Sequence, residues 1–344
     1  MTMSSSLRAF LVAVAMLWSS LAWSQSCSFG LSPMSFGLMD TLSGTATTST
    51  ATMSVSCSGT PLARILICPN LGAGSGGATA AARRMLSGAS VLNYQLYSDS
   101  ARSVIWGAYS WPYPARAPAF ALTLGALGTG SGTATIYGTV MGGQSTAAPG
   151  SYLSTFSAAD VEIRYRYTTT SSCTTEVGSI ARPSLNVTAS VAANCMVATQ
   201  NVDFGTTGVL SSNIDATGQA TVTCTPATAY TVSLSNGMSG TSPTNRRMTL
   251  GSAAVVYGLY KDAGRSQPWG DAATAGSTVA GTGTGAAQGY TVYGRVPPQT
   301  TPHSGHLQRH GCRDRNLLGS GARRGGWRVE RRGSSTSITR SSWF

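Results

Sequence analysis

Side chains that ordinarily carry catalysis are scarce in the part of the chain that could fold. All three histidines, His303, His306 and His310, follow Pro302, so no imidazole lies upstream to activate a serine or cysteine. Nine acidic residues precede Pro302, and they are scattered. Asp99 and Asp262 stand at matching places in two similar stretches, which points to a turn rather than to acid–base work. A paired-carboxylate glycosidase is the hydrolytic arrangement this distribution leaves open, and nothing in the spacing favours it. No CxxC or Cys/His spacing precedes the tail, so no metal and no other cofactor is expected and the chain reads as a non-enzyme.

Recognition has more to work with. Tyr109, Trp111, Tyr113 and Phe120 lie within twelve positions that also hold Pro112, Pro114 and Pro118. Such a loop is stiff and apolar and loses little entropy on binding. It reads as a finger that inserts into an abiotic surface or a host receptor. Two other roles stay open: a cap over the core, or a lectin-like module in which Trp111 and Tyr113 stack on a sugar ring. The Gly/Ala-rich stretch 71–82 reads as a second, flexible loop at the same tip.

The elements that must position these residues come twice. Cys27 precedes Phe36-Gly37 by nine positions, and Cys195 precedes Phe204-Gly205 by nine; Cys57 and Cys224 follow 30 and 29 positions after the first cysteine of each copy. Arg83-Arg84-Met85 matches Arg246-Arg247-Met248, and Tyr94-Gln95-Leu96-Tyr97-Ser98-Asp99 matches Tyr257-Gly258-Leu259-Tyr260-Lys261-Asp262. Trp106-Gly107 and Tyr137-Gly138 recur as Trp269-Gly270 and Tyr293-Gly294. Between these landmarks short Thr/Val/Tyr runs alternate apolar and polar residues, and Gly, Ser and Pro punctuate them. Two tandem antiparallel β-sandwiches of an all-β chain are expected, with the repeated arginine pairs as solvated strand ends. The repeat pairs Cys27 with Cys57 and Cys195 with Cys224. Cys68 and Cys173 lack counterparts and are paired with each other, metal binding being the alternative, and Cys312 is left over.

The chain has 344 residues and a formal net charge of +12. Nine of its 23 basic residues follow Pro302, whereas 1–302 hold 14 basic against 9 acidic groups. The excess marks a tail of different composition and removes the case for a nucleic-acid partner. At the other end Arg8 precedes an apolar run too short to cross a bilayer, closed by Ala22 and Ser24, as in a cleaved signal peptide. The expected organisation is signal peptide 1–24, domain 1 at 25–167, linker 168–184, domain 2 at 185–302 and an irregular tail 303–344.

Taken in order, Cys-x8-Phe-Gly, the second Cys, Tyr-x-Leu-Tyr-x-Asp, Trp-Gly and Tyr-Gly-x-Val resemble the spore coat protein U domain, over 27–167 and again over 185–302. The resemblance implies incomplete immunoglobulin-like pilin sandwiches, secreted through the periplasm to the cell surface of Gram-negative bacteria as part of archaic chaperone–usher pili. A periplasmic chaperone, and then a neighbouring pilin subunit at the outer-membrane usher, supplies the missing strand. Single-domain members are similar to shaft subunits. Two-domain members are similar to the tip adhesin, with an adhesin-like first and a pilin-like second domain. A secreted coat protein outside any pilus is the other reading.

The tail departs from the pattern. Gln144 is followed by Pro149-Gly150-Ser151-Tyr152 and a last strand ending at Tyr167, but Gln299 leads into Arg-, Gly- and Ser-rich sequence. From Ser304, the last two bases of each codon with the first of the next can spell Pro-Gly-Thr-Tyr-Ser-Asp-Thr-Val-Val-Val-Thr-Val-Thr-Tyr, then a stop. A frameshift near 299–304 is therefore expected to have replaced the final strand of domain 2, and the coding DNA around position 300 tests this.

Overall fold

The computed structural model describes residues 24–109, 116–175, 177–302, 327–332 and 335–340. The stretch expected as a signal peptide, apart from Ser24, and most of the tail lie outside them. The described chain is built of strands and falls into two compact units. The first takes the chain as far as Gly37, then Ala46–Met141 and Ser151–Ala189; the second takes Leu38–Thr45, Gly142–Gly150 and the chain from Ser190 onward.

Unit 1 contains β1 (Ser26–Leu31), β2 (Met34–Met39), β3 (Thr47–Ser58), β4 (Arg64–Leu71), β5 (Arg83–Ser87) and β6 (Ser90–Tyr97). It continues with β7 (Phe120–Thr123), β8 (Thr129–Val140), β9 (Gly150–Phe156), β10 (Val161–Tyr167), β11 (Ser179–Ala181) and β12 (Leu185–Val191). The period-two patterns act as read: along β3, Ala51, Met53, Val55 and Cys57 point into the core while the serines and threonines between them face out. One sheet has the order β1-β3-β8-β6-β5-β9-β12-β2, and the other β11-β10-β4-β7. Gly138 of the repeated Tyr-Gly pair sits beneath Phe36, where a Cβ would lie 2.8 Å from the ring; Gly294 stands in the same way beneath Phe204, at 2.7 Å.

β12 departs from the expected boundary. Sequence places 185 at the start of domain 2, yet this strand lies between β9 and β2 and completes the sheet of unit 1. Leu185, Val187, Ala189 and Val191 are buried in alternation with more exposed residues. Thr188 Oγ1 donates to Met34 O (3.4 Å) and Ala192 N to Met39 O (3.1 Å), so β12 advances parallel to β2. Burying Leu185 and Val187 is worth about 1.5–3 kcal/mol each.

Unit 2 contains β13 (Cys195–Gln200), β14 (Ile214–Cys224), β15 (Ala229–Ser233), β16 (Arg246–Leu250), β17 (Ala253–Tyr260), β18 (Val279–Thr282) and β19 (Ala287–Val296). The order β13-β14-β19-β17-β16 repeats β1-β3-β8-β6-β5, and β15 pairs with β18 as β4 does with β7. Among the described residues nothing corresponds to β9 or β12, and 201–210, the counterpart of β2, forms no strand. Phe204, Met248 and Tyr257 are only half-buried, whereas Phe36, Met85 and Tyr94 of unit 1 are buried.

The tail is not wholly irregular. Two strands, β20 (Trp327–Arg332) and β21 (Ser335–Arg340), pair antiparallel, and β21 runs parallel along β15. In unit 1 the corresponding place beside β4 is held by β10, which runs antiparallel.

Three disulfides are present. Cys27–Cys57 and Cys195–Cys224 join directly opposed residues of a strand pair, β1 with β3 and β13 with β14. Closing loops of this size contributes roughly 3–4 kcal/mol each in the chain-entropy account. Cys68–Cys173 joins β4 to the connector between β10 and β11.

Candidate surface-binding site

The aromatic loop of unit 1 leaves the sandwich after Trp106 and returns at β7. Trp106 is buried, and its Nε1 donates to Pro69 O at 2.8 Å. Asn70 is buried beside it: its Nδ2 donates to Glu162 O (2.9 Å) and its Oδ1 accepts from Tyr109 N (2.9 Å). Tyr109, expected as a contact residue, is instead half-buried against Leu66 and the Cys68–Cys173 pair, and its hydroxyl donates to Thr175 O at 3.1 Å. Phe120 is half-buried as well, with its ring 5.7 Å from that of Trp106. These two form the feet of the loop. Trp111 and Tyr113 lie outside the described residues.

The 71–82 stretch, read as a flexible loop, is tied down along its length. Gly72 N donates to Asp160 O (2.7 Å), Ser75 N to Thr155 O (2.9 Å) and Arg84 N to Gly77 O (3.0 Å).

Beneath both loops the sequence reading fails at an arginine. Arg83 was expected to be a solvated strand end; it is 0% exposed, and Arg246 is 1% exposed. Arg83 Nε donates to Gly72 O (2.8 Å), and its Nη2 donates to Leu71 O and to Trp106 O (2.8 Å). Gln95 Oε1 accepts from Nη1, and the Phe156 ring lies 5.8 Å from the guanidinium carbon. Arg246 repeats the arrangement on Ser235 O, Leu234 O and Trp269 O, with Pro243 O in place of the glutamine. A buried cation survives only where its hydrogen-bonding capacity is met, and here main-chain carbonyls meet much of it. Burial still lowers the Arg246 pKa to about 10.

Asp99 and Asp262 hold turns, as their repetition suggested. Asp99 Oδ1 accepts from Val104 N (2.7 Å) and Oδ2 from the Ser103 hydroxyl (2.8 Å); Asp262 does the same with Gln267 N and Ser266. Both carboxyls titrate below the ordinary range, chiefly because of the Val104 and Gln267 amides. No group of three or more potential metal ligands occurs among the described residues.

Among the exposed large apolar residues, which also include Leu38 and Val209, two that the sequence reading passed over adjoin each other. Leu62 (71% exposed) and Leu127 (85%) project from adjoining turns, joined by Leu62 N to Gly125 O at 3.3 Å. Leu62 holds φ +62°, and Ala227 holds φ +59° at the same place in unit 2. Aligning Thr60-Pro61-Leu62 with Thr225-Pro226-Ala227 would have exposed the difference, a large apolar side chain set on a turn in one copy alone.

The repeated framework of paired cysteines, buried arginine, Trp-Gly and Tyr-Gly fits one family throughout. The model of the Spore Coat Protein U domain matches residues 13–159 and 181–308. The chain belongs to the Spore Coat Protein U domain family. No curated protein matches the chain. One similar solved structure is the CsuC–CsuE chaperone–tip adhesion subunit pre-assembly complex from archaic chaperone-usher Csu pili of Acinetobacter baumannii. It is 16% identical with a TM-score of 0.45, covering 81% of this chain and 96% of that one. Another is the CupB6 tip adhesin from Pseudomonas aeruginosa, 13% identical with a TM-score of 0.35, covering 81% and 91%. As a Spore Coat Protein U chain, the protein carries the family domain twice, with the aromatic loop and a third disulfide in the first copy only.

Proposed function

We propose that this protein is a non-enzymatic, adhesive subunit of a chaperone–usher pilus, of the two-domain tip type, secreted through the periplasm of a Gram-negative bacterium. One observation carries the reading: unit 1 is closed by its own β12, while among the described residues unit 2 has no counterpart of β9 or β12, and Phe204, Met248 and Tyr257 are half-buried. A unit already closed is free to bind a target. A unit with an open groove suits strand addition, with main-chain hydrogen bonds giving affinity and alternating side chains filling the groove. The strand donors are a periplasmic chaperone and, at the usher, a neighbouring pilin subunit.

Target binding is assigned to unit 1, through the apolar loop carrying Trp111 and Tyr113, with the Leu62 and Leu127 turns as a second apolar contact. The test is Trp111→Ala/Tyr113→Ala in the secreted chain, assayed on polystyrene and on glycan arrays. Loss on polystyrene by about tenfold is expected, since two desolvated aromatics often hold more than 1 kcal/mol each. Loss on glycans alone would favour sugar stacking, and no loss on either would leave a plain shaft subunit.

A further inference from the structure

The Cys68–Cys173 disulfide and the apolar loop occur together in unit 1, and in the sequence of the second copy neither has a counterpart. Cys68 and Cys173 are buried, and with Leu66 they form a small cluster on which the Tyr109 ring rests. Cys173 Sγ also lies 3.5 Å from Pro118 O, on the returning limb of the loop. One disulfide therefore touches both feet. Arg116 Nη1 donates across the gap to Tyr109 O (3.4 Å), and the Tyr109 hydroxyl ties the outgoing foot to Thr175 O. The connector that carries Cys173 is itself anchored: Arg64 donates to Thr168 O, Thr170 O and Ser171 Oγ, and Arg166 to Val177 O.

Unit 2 shows what the loop would otherwise need. Its shorter loop after Trp269 is closed locally, by Asp271 Oδ1 accepting from Thr274 N (3.1 Å) and by Ser277 Oγ donating to Asp271 O (2.6 Å). The first loop has one such reach, from Arg116 to Tyr109 O, and in addition a bridge from another part of the chain, the disulfide that lies against Tyr109 and Pro118.

We propose that Cys68–Cys173, with Tyr109 seated on it, is a clamp that holds the two ends of the apolar loop, at Tyr109 and Pro118, and that surface binding depends on it. This rests on reading that loop as the contact surface. Tyr109 is then a positioning residue and touches no target. The alternative is that the disulfide adds global stability and nothing more.

The experiment compares three variants of the secreted full chain: Cys68→Ser/Cys173→Ser, Cys27→Ser/Cys57→Ser as a control disulfide remote from the loop, and Tyr109→Ala, which keeps every disulfide. Each is assayed for polystyrene adhesion and for the rate of tryptic cleavage after Arg116, well below its melting temperature. Freeing the feet should raise cleavage after Arg116 by about tenfold and cut adhesion severalfold in the Cys68/Cys173 and Tyr109 variants. The Cys27/Cys57 control should melt lower with both readouts unchanged. Tyr109→Ala decides the matter should the Cys68/Cys173 variant fail to accumulate. Wild-type cleavage and adhesion in the clamp variants, or equal changes in the control, would overturn the clamp. If Trp111→Ala/Tyr113→Ala leaves adhesion intact, the contact reading falls instead, and cleavage after Arg116 still judges the clamp.

Discussion

The two units share one framework and differ in how it is finished. Both have the same five-strand order, the same opposed disulfide, a buried arginine holding loop carbonyls and an aspartate-capped turn. Unit 1 adds β9, β10 and β12. In unit 2 Phe204, Met248 and Tyr257 are half-buried, and the tail strand β21 lies parallel to β15 in the other sheet. The shared parts set the framework of each sandwich, and completion decides how deeply the apolar face is buried. Phe36, Met85 and Tyr94 have the same residue types as Phe204, Met248 and Tyr257, so composition does not explain the different burial.

The largest effect should come from opening unit 1. Val187 on β12 is 0% exposed, and Val187→Asp puts a carboxylate into the core. A cost of about 4–5 kcal/mol is expected, enough to speed hydrogen exchange throughout unit 1. Asn186→Asp, one residue earlier on the exposed side, should change little. If Val187→Asp leaves exchange in β2 and β9 as slow as before, β12 is not what completes the sheet and the contrast between the units collapses.

How much of this was legible depends on the range of the interaction. Strands, the repeat and the disulfide partners follow from period-two patterns and aligned landmarks, which are local or duplicated. The alternation of Leu185, Val187, Ala189 and Val191 announces a half-buried strand but not the sheet it joins, because either sandwich would bury the same face. Arg83 and Arg246 read as surface residues because an arginine's need for acceptors is met here mainly by carbonyls 11 to 23 positions away, at loops whose course the sequence does not specify. Tyr109 is half-buried against the Cys68–Cys173 pair, and because Cys173 lies far along the chain, no local pattern signals that packing.

A middle-sized effect tests the shared framework. Arg83→Met should leave Leu71 O, Gly72 O and Trp106 O without this donor in a buried setting, at a cost of about 3 kcal/mol. Arg246→Met should cost about 2 kcal/mol, because its bond to Ser235 O is only partly buried and water can replace it. Unit-resolved hydrogen exchange reads each value separately. Equal costs would mean that completion of the sheet does nothing to shield the guanidinium; a smaller cost in unit 1 would reverse the comparison.

The smallest effect lies where the units agree most. Asp99 and Asp262 make the same amide and hydroxyl bonds and both titrate below the ordinary aspartate value of 3.8, the Val104 and Gln267 amides being the main cause. A depressed folded pKa means that the stabilisation is complete above the unfolded pKa and is lost as pH falls through the folded one. Asp99→Asn and Asp262→Asn should therefore each lower the melting temperature of their own unit slightly at pH 7, and the difference from wild type should vanish well below pH 3.8. Both side chains are on the surface, so added salt should weaken the effect alike in the two units. Matching titration curves for the two carboxyls, followed by NMR, would show that this turn is indifferent to whether its sandwich is closed. A curve for Asp262 displaced toward 3.8 would mean that the open face of unit 2 loosens even the turns remote from it.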